Sequence, residues 1–327
     1  MEVQKQYNYC LDFIKGIACI SVVFLHCEFP GVFGIAVQAI SRWCVPFFFM
    51  VSGYYCYKDV PLQKYERTRK VSHIFKITLY SALFYILFAI VQNIIWSDVS
   101  LVVSVKSLLL FLCCNQMVVI VSQMWFLFAL LYVYVVFFAI GSKEAYRKNT
   151  IPIAAICLSL YIVLAQGLHI VGYSVPNYVY KNWLIEGLGF FTLGHVIRQY
   201  QKKLEFKNSW LLITVVIFSC LSLVERYLLG RDFGVNISSI PQVSAIFLYA
   251  VNNPQKGEGG LQQLGKTCSM FVYILHPFVW YSLERVYGAL HIESNLVALY
   301  LMPIIVLFLT IVLSMICYRV QTRNTIA

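Results

Sequence analysis

The chain has 327 residues, of which 60% are hydrophobic and 12% charged, with a mean hydropathy of +0.75 and a formal net charge of +11. A typical soluble domain is about 25% charged, so this composition excludes a soluble enzyme. The positive charge falls in alternate loops instead of on one polar face, which excludes a nucleic-acid surface and matches the positive-inside pattern of a polytopic membrane protein.

Ten apolar runs are long enough to be read as spans: 11–29, 35–57, 74–96, 121–141, 151–171, 182–199, 209–228, 236–252, 269–288 and 295–318. With a cytoplasmic N-terminus, eighteen of the 25 cations face inward and only Lys106, Lys181, Arg226, Arg231 and Arg285 face outward. Lys15 and Arg42 remain inside the membrane. The segment 98–118, DVSLVVSVKSLLLFLCCNQMV, is broken by Lys106 and Asn115 and is expected to be interfacial or re-entrant. Counting it as a span would turn the basic clusters at 143–148 and 198–207 outward, against the charge bias. Tyr54, Tyr55, Tyr57, Trp96, Trp125 and Trp183 fit interfacial aromatic belts. The eleven cysteines show no CxxC spacing, and most lie in apolar runs as small packing residues. The first run carries Asp12, Lys15 and His26, so it is expected to stay as a signal anchor. The resulting expectation is an all-α polytopic membrane protein of about ten transmembrane helices. Both termini are cytoplasmic, and one integral domain over 1–327 has no appended soluble domain.

Ionisable groups at bilayer depth are costly and mark function by default. Lys15 and His26 are eleven residues apart; at 100° per residue they share one helix face, separated by ~16 Å of rise. Span two returns antiparallel after a short connection and carries Arg42, so His26 and Arg42 can share the outer layer; the plainer reading makes Arg42 a structural tie. Asp12, Lys15 and Ser52 occupy an inner layer, where Asp12 and Lys15 can simply neutralise each other at i, i+3. The 58–76 loop adds Lys64, Arg67, Arg69, Lys70, His73 and Lys76, suited to phosphate groups, although a basic cytoplasmic loop is also what topology demands. Within LGKTCSMFVYILHPFVW, His276 is a second intramembrane imidazole, a type more often a satisfied packing residue. Trp125 and Glu186 are weaker candidates. No metal-ligand spacing, phosphate-loop glycine pattern or GxSxG elbow is present.

Through LDFIKGIACISVVFLH, VPFFFMVSGYYC, RKVSHIFKITLYSALFY, MWFLFALLYVY, GLGFFTLGHVI and LGKTCSMFVYILHP, the chain resembles the membrane-bound acyltransferase family 3. Members include O-acetyltransferases and succinyltransferases of bacterial surface polysaccharides. The most specific element is Lys or Arg, ten residues, then His, matched by Lys15 and His26. A departure is the basic motif before span three, where members often show two arginines three apart and a following proline; here Arg67, Arg69, Lys70, His73 and Lys76 stand without the proline.

The resemblance implies a multi-pass enzyme of the bacterial inner membrane. It would take an acyl group, expected to be acetyl, from cytosolic acetyl-CoA or another acyl-CoA to a hydroxyl of a cell-surface or lipid-linked carbohydrate. Acyl-CoA is then a co-substrate, with no permanently bound cofactor and no metal. His26 and Arg42 are the expected catalytic residues. Lys15, Arg69, Lys70 and Lys76 would bind the donor, and Asp12, Ser52, Trp125, Glu186 and His276 the substrate. Membrane lipid and carbohydrate are the expected partners, and nucleic acid is not one. The rival readings are a glycan exporter, since midplane ionisable residues also line transport paths, and a membrane sensor or scaffold with structural histidines.

Overall fold

The computed structural model describes residues 7–58, 62–96, 104–117 and 122–326. Helix accounts for 83% of the chain with no strand among the described residues, so the fold is all-α. In chain order the helices are α1 (Tyr9–His26), α2 (Gly31–Ile40), α3 (Cys44–Cys56), α4 (Lys64–Trp96), α5 (Val105–Cys114), α6 (Trp125–Ile140), α7 (Glu144–Lys148) and α8 (Thr150–Ile162). They continue with α9 (Leu168–Ile170), α10 (Asn177–Tyr180), α11 (Leu188–Tyr200), α12 (Asn208–Leu229), α13 (Ser239–Asn252), α14 (Gly260–Gln263), α15 (Ser269–Ala289) and α16 (Leu296–Ile326). A 3₁₀ turn, Ser41–Trp43, joins α2 to α3. Among the described residues three π turns interrupt the helices: Val163–Gly167 after α8, Trp183–Gly187 before α11, and Leu264–Cys268 between α14 and α15.

Among the described residues seven helical segments are long and apolar enough to cross a membrane: Tyr9–His26, Gly31–Cys56, Lys64–Ile95, Ser122–Ile140, Thr150–Ile170, Asn208–Leu229 and Leu296–Arg323. The protein is therefore multi-pass. The other three expected spans coincide with α11, α13 and α15. α13, at 14 residues, reaches only ~20 Å against a ~30 Å hydrocarbon core, whereas α11 runs on without a break from the π turn Trp183–Gly187 and is correspondingly longer. α15 has 21 residues but includes His276 and Pro277. Of the segment expected to be re-entrant, Val105–Cys114 is a short apolar helix, while 97–103 and 118–121 lie outside the described residues.

The chain clusters into two compact units, one of Met1–Phe48 with Lys202–Ala327 and one of Phe49–Gln201. In the first, α1 packs on α14, α15, α13 and the Ser41–Trp43 turn, while α15 packs on α16. Cys19, Val23 and Cys27, each four residues on from the last, meet Leu264, Cys268 and Val272 with the same spacing, and Val306 closes the cluster. Lipid tails are as apolar as these side chains, so close packing, not exclusion from water, holds the seam. Two glycines make that approach possible. A Cβ on Gly16 would lie 2.1 Å from the Leu261 carbonyl oxygen, and one on Gly265 would lie 1.9 Å from that of Asp12. In the second unit α11 packs on α8 and α4 on α6. There Gly53 and Gly194 play the same part, with Cβ positions 1.8 Å and 2.1 Å from the Phe191 and Met50 carbonyl oxygens. All eleven cysteines are unbridged; Cys10, Cys19, Cys27, Cys44, Cys56 and Cys268 are buried, in keeping with their reading as packing residues, while Cys113 and Cys220 are exposed.

Candidate functional site

α1 ends at His26 because Cys27 turns extended (φ −97°, ψ 91°). This leaves the half-buried His26 ring stacked against that of His276, with centroids 5.3 Å apart and planes 22° from parallel. His276 is wholly buried, and its Nδ1 lies 3.2 Å from the Val272 carbonyl oxygen. A carbonyl only accepts, so Nδ1 carries the proton and Nε2 is left as a bare lone pair. No described residue hydrogen-bonds to that Nε2. Pro277 contributes to the arrangement: without an N–H it leaves the Tyr273 carbonyl without its helical donor, and that carbonyl is a second acceptor within reach of the His276 ring. The pair therefore joins a buried imidazole of fixed tautomer to a more accessible one.

Arg42 sits in the Ser41–Trp43 turn, against which α1 packs. Its buried guanidinium donates through Nη2 to Asp232 Oδ2, while Asp232 Oδ1 accepts the Gly234 N–H at 2.9 Å. A buried guanidinium needs such a partner. Sequence reasoning missed Asp232, which lies 190 residues away in a polar connection without a motif.

At the other end of α1, Lys15 Nζ donates to Asp12 Oδ1 at 2.6 Å, as their spacing suggested. The cluster is larger than the sequence indicated. The Tyr7 hydroxyl donates to Asp12 Oδ2, and Gln262 Nε2 donates to the Tyr7 hydroxyl oxygen at 3.0 Å. Lys266 Nζ stands 4.8 Å from the Tyr7 ring centroid. Burial first, and then the hydrogen bond to the Asp12 carboxylate, push the Tyr7 hydroxyl up to about 12, so Tyr7 keeps its proton. The Gly16–Gly265 approach and the π turn Leu264–Cys268 bring Gln262 and Lys266 to α1.

The remaining candidates belong to the second unit. Ser52 and Cys56 both hydrogen-bond with the Tyr134 hydroxyl. Arg69 and Lys76 are exposed on α4, and Lys70 donates to the Tyr55 carbonyl at 3.4 Å. Arg67, left out of the expected donor set, turns inward: it donates to the Phe138 carbonyl and stacks over the Phe138 ring at 5.3 Å. Trp125, near the start of the segment Ser122–Ile140, is buried, with Lys181 Nζ 4.8 Å from its ring. Glu186 is wholly buried in the π turn Trp183–Gly187. Asn115, noted as an interruption, ends α5 in the left-handed conformation (φ 47°). Its side chain donates to the Trp125 carbonyl at 3.3 Å and accepts the Trp183 N–H at 2.8 Å. The unit also holds an imidazole that sequence reasoning passed over: His195, wholly buried, with Nδ1 2.5 Å from the Tyr146 hydroxyl and the Phe137 and Phe191 rings around it.

Residues 8–319 match the family model described as an acyltransferase domain, that of acyltransferase family 3. The chain belongs to acyltransferase family 3. No curated protein and no solved structure matches it.

As an acyltransferase family 3 protein, this chain is a multi-pass membrane acyltransferase. The first unit holds the His26–His276 pair at one end of α1, the Asp12–Lys15 pair at the other, and Arg42 on Asp232, while Ser52, Arg69, Lys70, Lys76, Trp125 and Glu186 lie in the second. Among the described residues no group of three His, Cys, Asp or Glu side chains is placed to hold a metal ion. The chemistry open to the first unit is acid–base or nucleophilic work by an imidazole.

Proposed function

We propose that the protein moves an acyl group, acetyl in the first instance, from cytosolic acyl-CoA to a hydroxyl of a cell-surface or lipid-linked carbohydrate at the bacterial inner membrane. The His26–His276 stack carries this reading, because it sets two imidazoles together on helices of an acyltransferase fold. His26 removes the proton of the acceptor hydroxyl as its oxygen attacks the thioester carbonyl. The tetrahedral intermediate then expels the CoA sulfur, which takes that proton from the imidazolium. In the covalent variant of the same reaction, His26 itself takes the acyl group before passing it to the hydroxyl. Arg42, engaged with Asp232 through one of its five N–H donors, steadies the oxyanion.

Donor phosphates are assigned to Lys15 in the first unit and to Arg69, Lys70 and Lys76 in the second; Asp12, Ser52, Trp125, Glu186 and His276 are assigned to the substrates. Length supports the role of Lys15. A pantetheine arm has about 13 bonds from phosphorus to sulfur, or ~16 Å at ~1.2 Å of extended chain per bond. The helical rise from Lys15 to His26 is also ~16 Å. The accompanying membrane arrangement is one integral domain with ten spans and both termini cytoplasmic, supported by the inward bias of Lys and Arg.

The test is transfer of label from radiolabelled acetyl-CoA by purified protein in nanodiscs, scanned over glycan extracts, for wild type and His26→Ala. Label transfer that falls at least hundredfold in a folded variant supports the reading. Full transfer by that variant removes His26 from the chemistry, and no transfer by wild type from any acyl-CoA favours glycan export.

A further inference from the structure

The polar cluster at the start of α1 contains one acceptor that its own hydrogen bonds leave over. Tyr7 has a single hydroxyl proton, which it gives to Asp12. Gln262 reaches the same hydroxyl oxygen at 3.0 Å, so it must present its amide nitrogen there, and the amide orientation is fixed. Gln262 Oε1 therefore points elsewhere. The residue is 1% exposed, and no described residue donates to that oxygen. A buried acceptor left in this state is costly, and each such group in a native structure calls for a partner.

Two further observations say which partner fits. Lys15, on α1, and Lys266, on the π turn that follows Gln262, bring two ammonium groups to the same cluster, and Lys266 is exposed. The backbone contacts of Gly16 with Leu261 and of Gly265 with Asp12 hold α14 and its π turn against α1, so Gln262 is presented from a rigid support. An amide acceptor in a cluster that also gathers two cations around Tyr7 and Asp12 is complementary to a phosphate attached to a chain that carries amide N–H groups.

We infer that Gln262, Lys15 and Lys266 recognise the phosphopantetheine part of the acyl donor. Oε1 accepts an amide N–H of the pantetheine arm, and the two ammonium groups hold the phosphate. This rests on the acyl-thioester reading above and adds to it Gln262 and Lys266, which that reading does not assign. Phosphopantetheine is carried both by CoA and by acyl carrier proteins, and the cluster reads the part they share.

The experiment uses the full chain in nanodiscs with acetyl-CoA, acetyl carrier protein, and acetyl-CoA analogues N-methylated at either pantetheine amide. In wild type, one of the two analogues should lose about tenfold in kcat/KM. Gln262→Leu should raise KM for acetyl-CoA about tenfold, more than it lowers kcat, and should erase the discrimination against that analogue. Equal discrimination by wild type and variant, or none by wild type, overturns the inference. If Gln262→Leu does not fold, the wild-type comparison of the two analogues decides alone. Turnover with CoA or with carrier protein identifies the source. Should wild type transfer no acyl group at all, the functional reading fails separately; direct binding of 4′-phosphopantetheine to wild type and Gln262→Leu then tests the site. A tenfold difference supports it and equal binding overturns it.

Discussion

In the unit built from Met1–Phe48 and Lys202–Ala327, the sheltered cations of α1 and the Ser41–Trp43 turn meet carboxylates: Lys15 meets Asp12 at 2.6 Å and Arg42 meets Asp232. In the unit Phe49–Gln201 the ion pairs Lys58–Glu66 and Lys148–Glu144 are exposed, and the partly sheltered cations meet backbone carbonyls at or just past helix ends: Arg67 that of Phe138 near the end of α6, Lys70 that of Tyr55 near the end of α3, and Arg147 that of Lys58 beyond it, at 2.9 Å. The last carbonyls of a helix lack intrahelical donors and form the negative end of its dipole. A basic side chain there is thus explained by the backbone alone. A cation sheltered next to a carboxylate has no such explanation. The two buried imidazoles, each with an Nε2 that no described residue hydrogen-bonds, differ in their surroundings: His276 stacks on another imidazole and bonds through Nδ1 to the Val272 carbonyl of its own helix, whereas His195 Nδ1 meets the Tyr146 hydroxyl inside a cage of rings.

The largest expected effect separates those two histidines. His276→Ala should lower acyl transfer by about a hundredfold through loss of the ring that stacks on His26 and of its proposed contact to the substrates. His195→Phe should leave initial rates within about threefold while costing about 1–3 kcal/mol of stability, because the Tyr146 hydroxyl loses its buried partner. Initial rates and thermal unfolding in detergent read both, and equal rate losses would break the comparison.

A smaller effect tests the seam that carries the first unit's polar cluster. Gly265→Ala places a Cβ 1.9 Å from the Asp12 carbonyl oxygen and should cost about 1–3 kcal/mol, with a parallel fall in transfer. Gly288→Ala, in α15 but with nothing within 4 Å of the added Cβ, should leave both unchanged or raise the melting temperature slightly.

The smallest effects lie on α4. Lys76→Ala and Arg69→Ala, both exposed, should leave the melting temperature unchanged and raise KM for acetyl-CoA about two- to threefold, as expected for loose phosphate contacts. Arg67→Ala should instead lower the melting temperature by removing the hydrogen bond to Phe138 and the stacking on its ring. A drop in melting temperature for Lys76→Ala as large as for Arg67→Ala would erase the distinction drawn between the two kinds of cation.

Much of this was legible in the sequence because its signal is periodic and local. Hydropathy located the helices, the eleven-residue offset put Lys15 and His26 on one face, and the i, i+3 spacing foretold the Lys15–Asp12 pair. What escaped was set by tertiary contact. Asp232 and Gln262 acquire their roles only when distant segments meet Arg42 and Tyr7, 190 and 255 residues away in sequence. Gly16 and Gly265 carry no pattern until two backbones touch. The break at Ser41–Trp43 was likewise hidden, since the apolar run continues through it, and Asn115 read as an interruption although its left-handed backbone and buried side chain secure the end of α5.

The π turn Leu264–Cys268 also sets a phase. It holds one residue more than an α-helical turn would, and everything after it is rotated by about 100° relative to an uninterrupted helix. Deleting one residue from 264–268 would barely alter the hydropathy of the segment. It would nevertheless turn Val272 and His276 together onto a different side of α15 relative to α14, so here the length of the chain governs the chemistry as firmly as the identity of its residues.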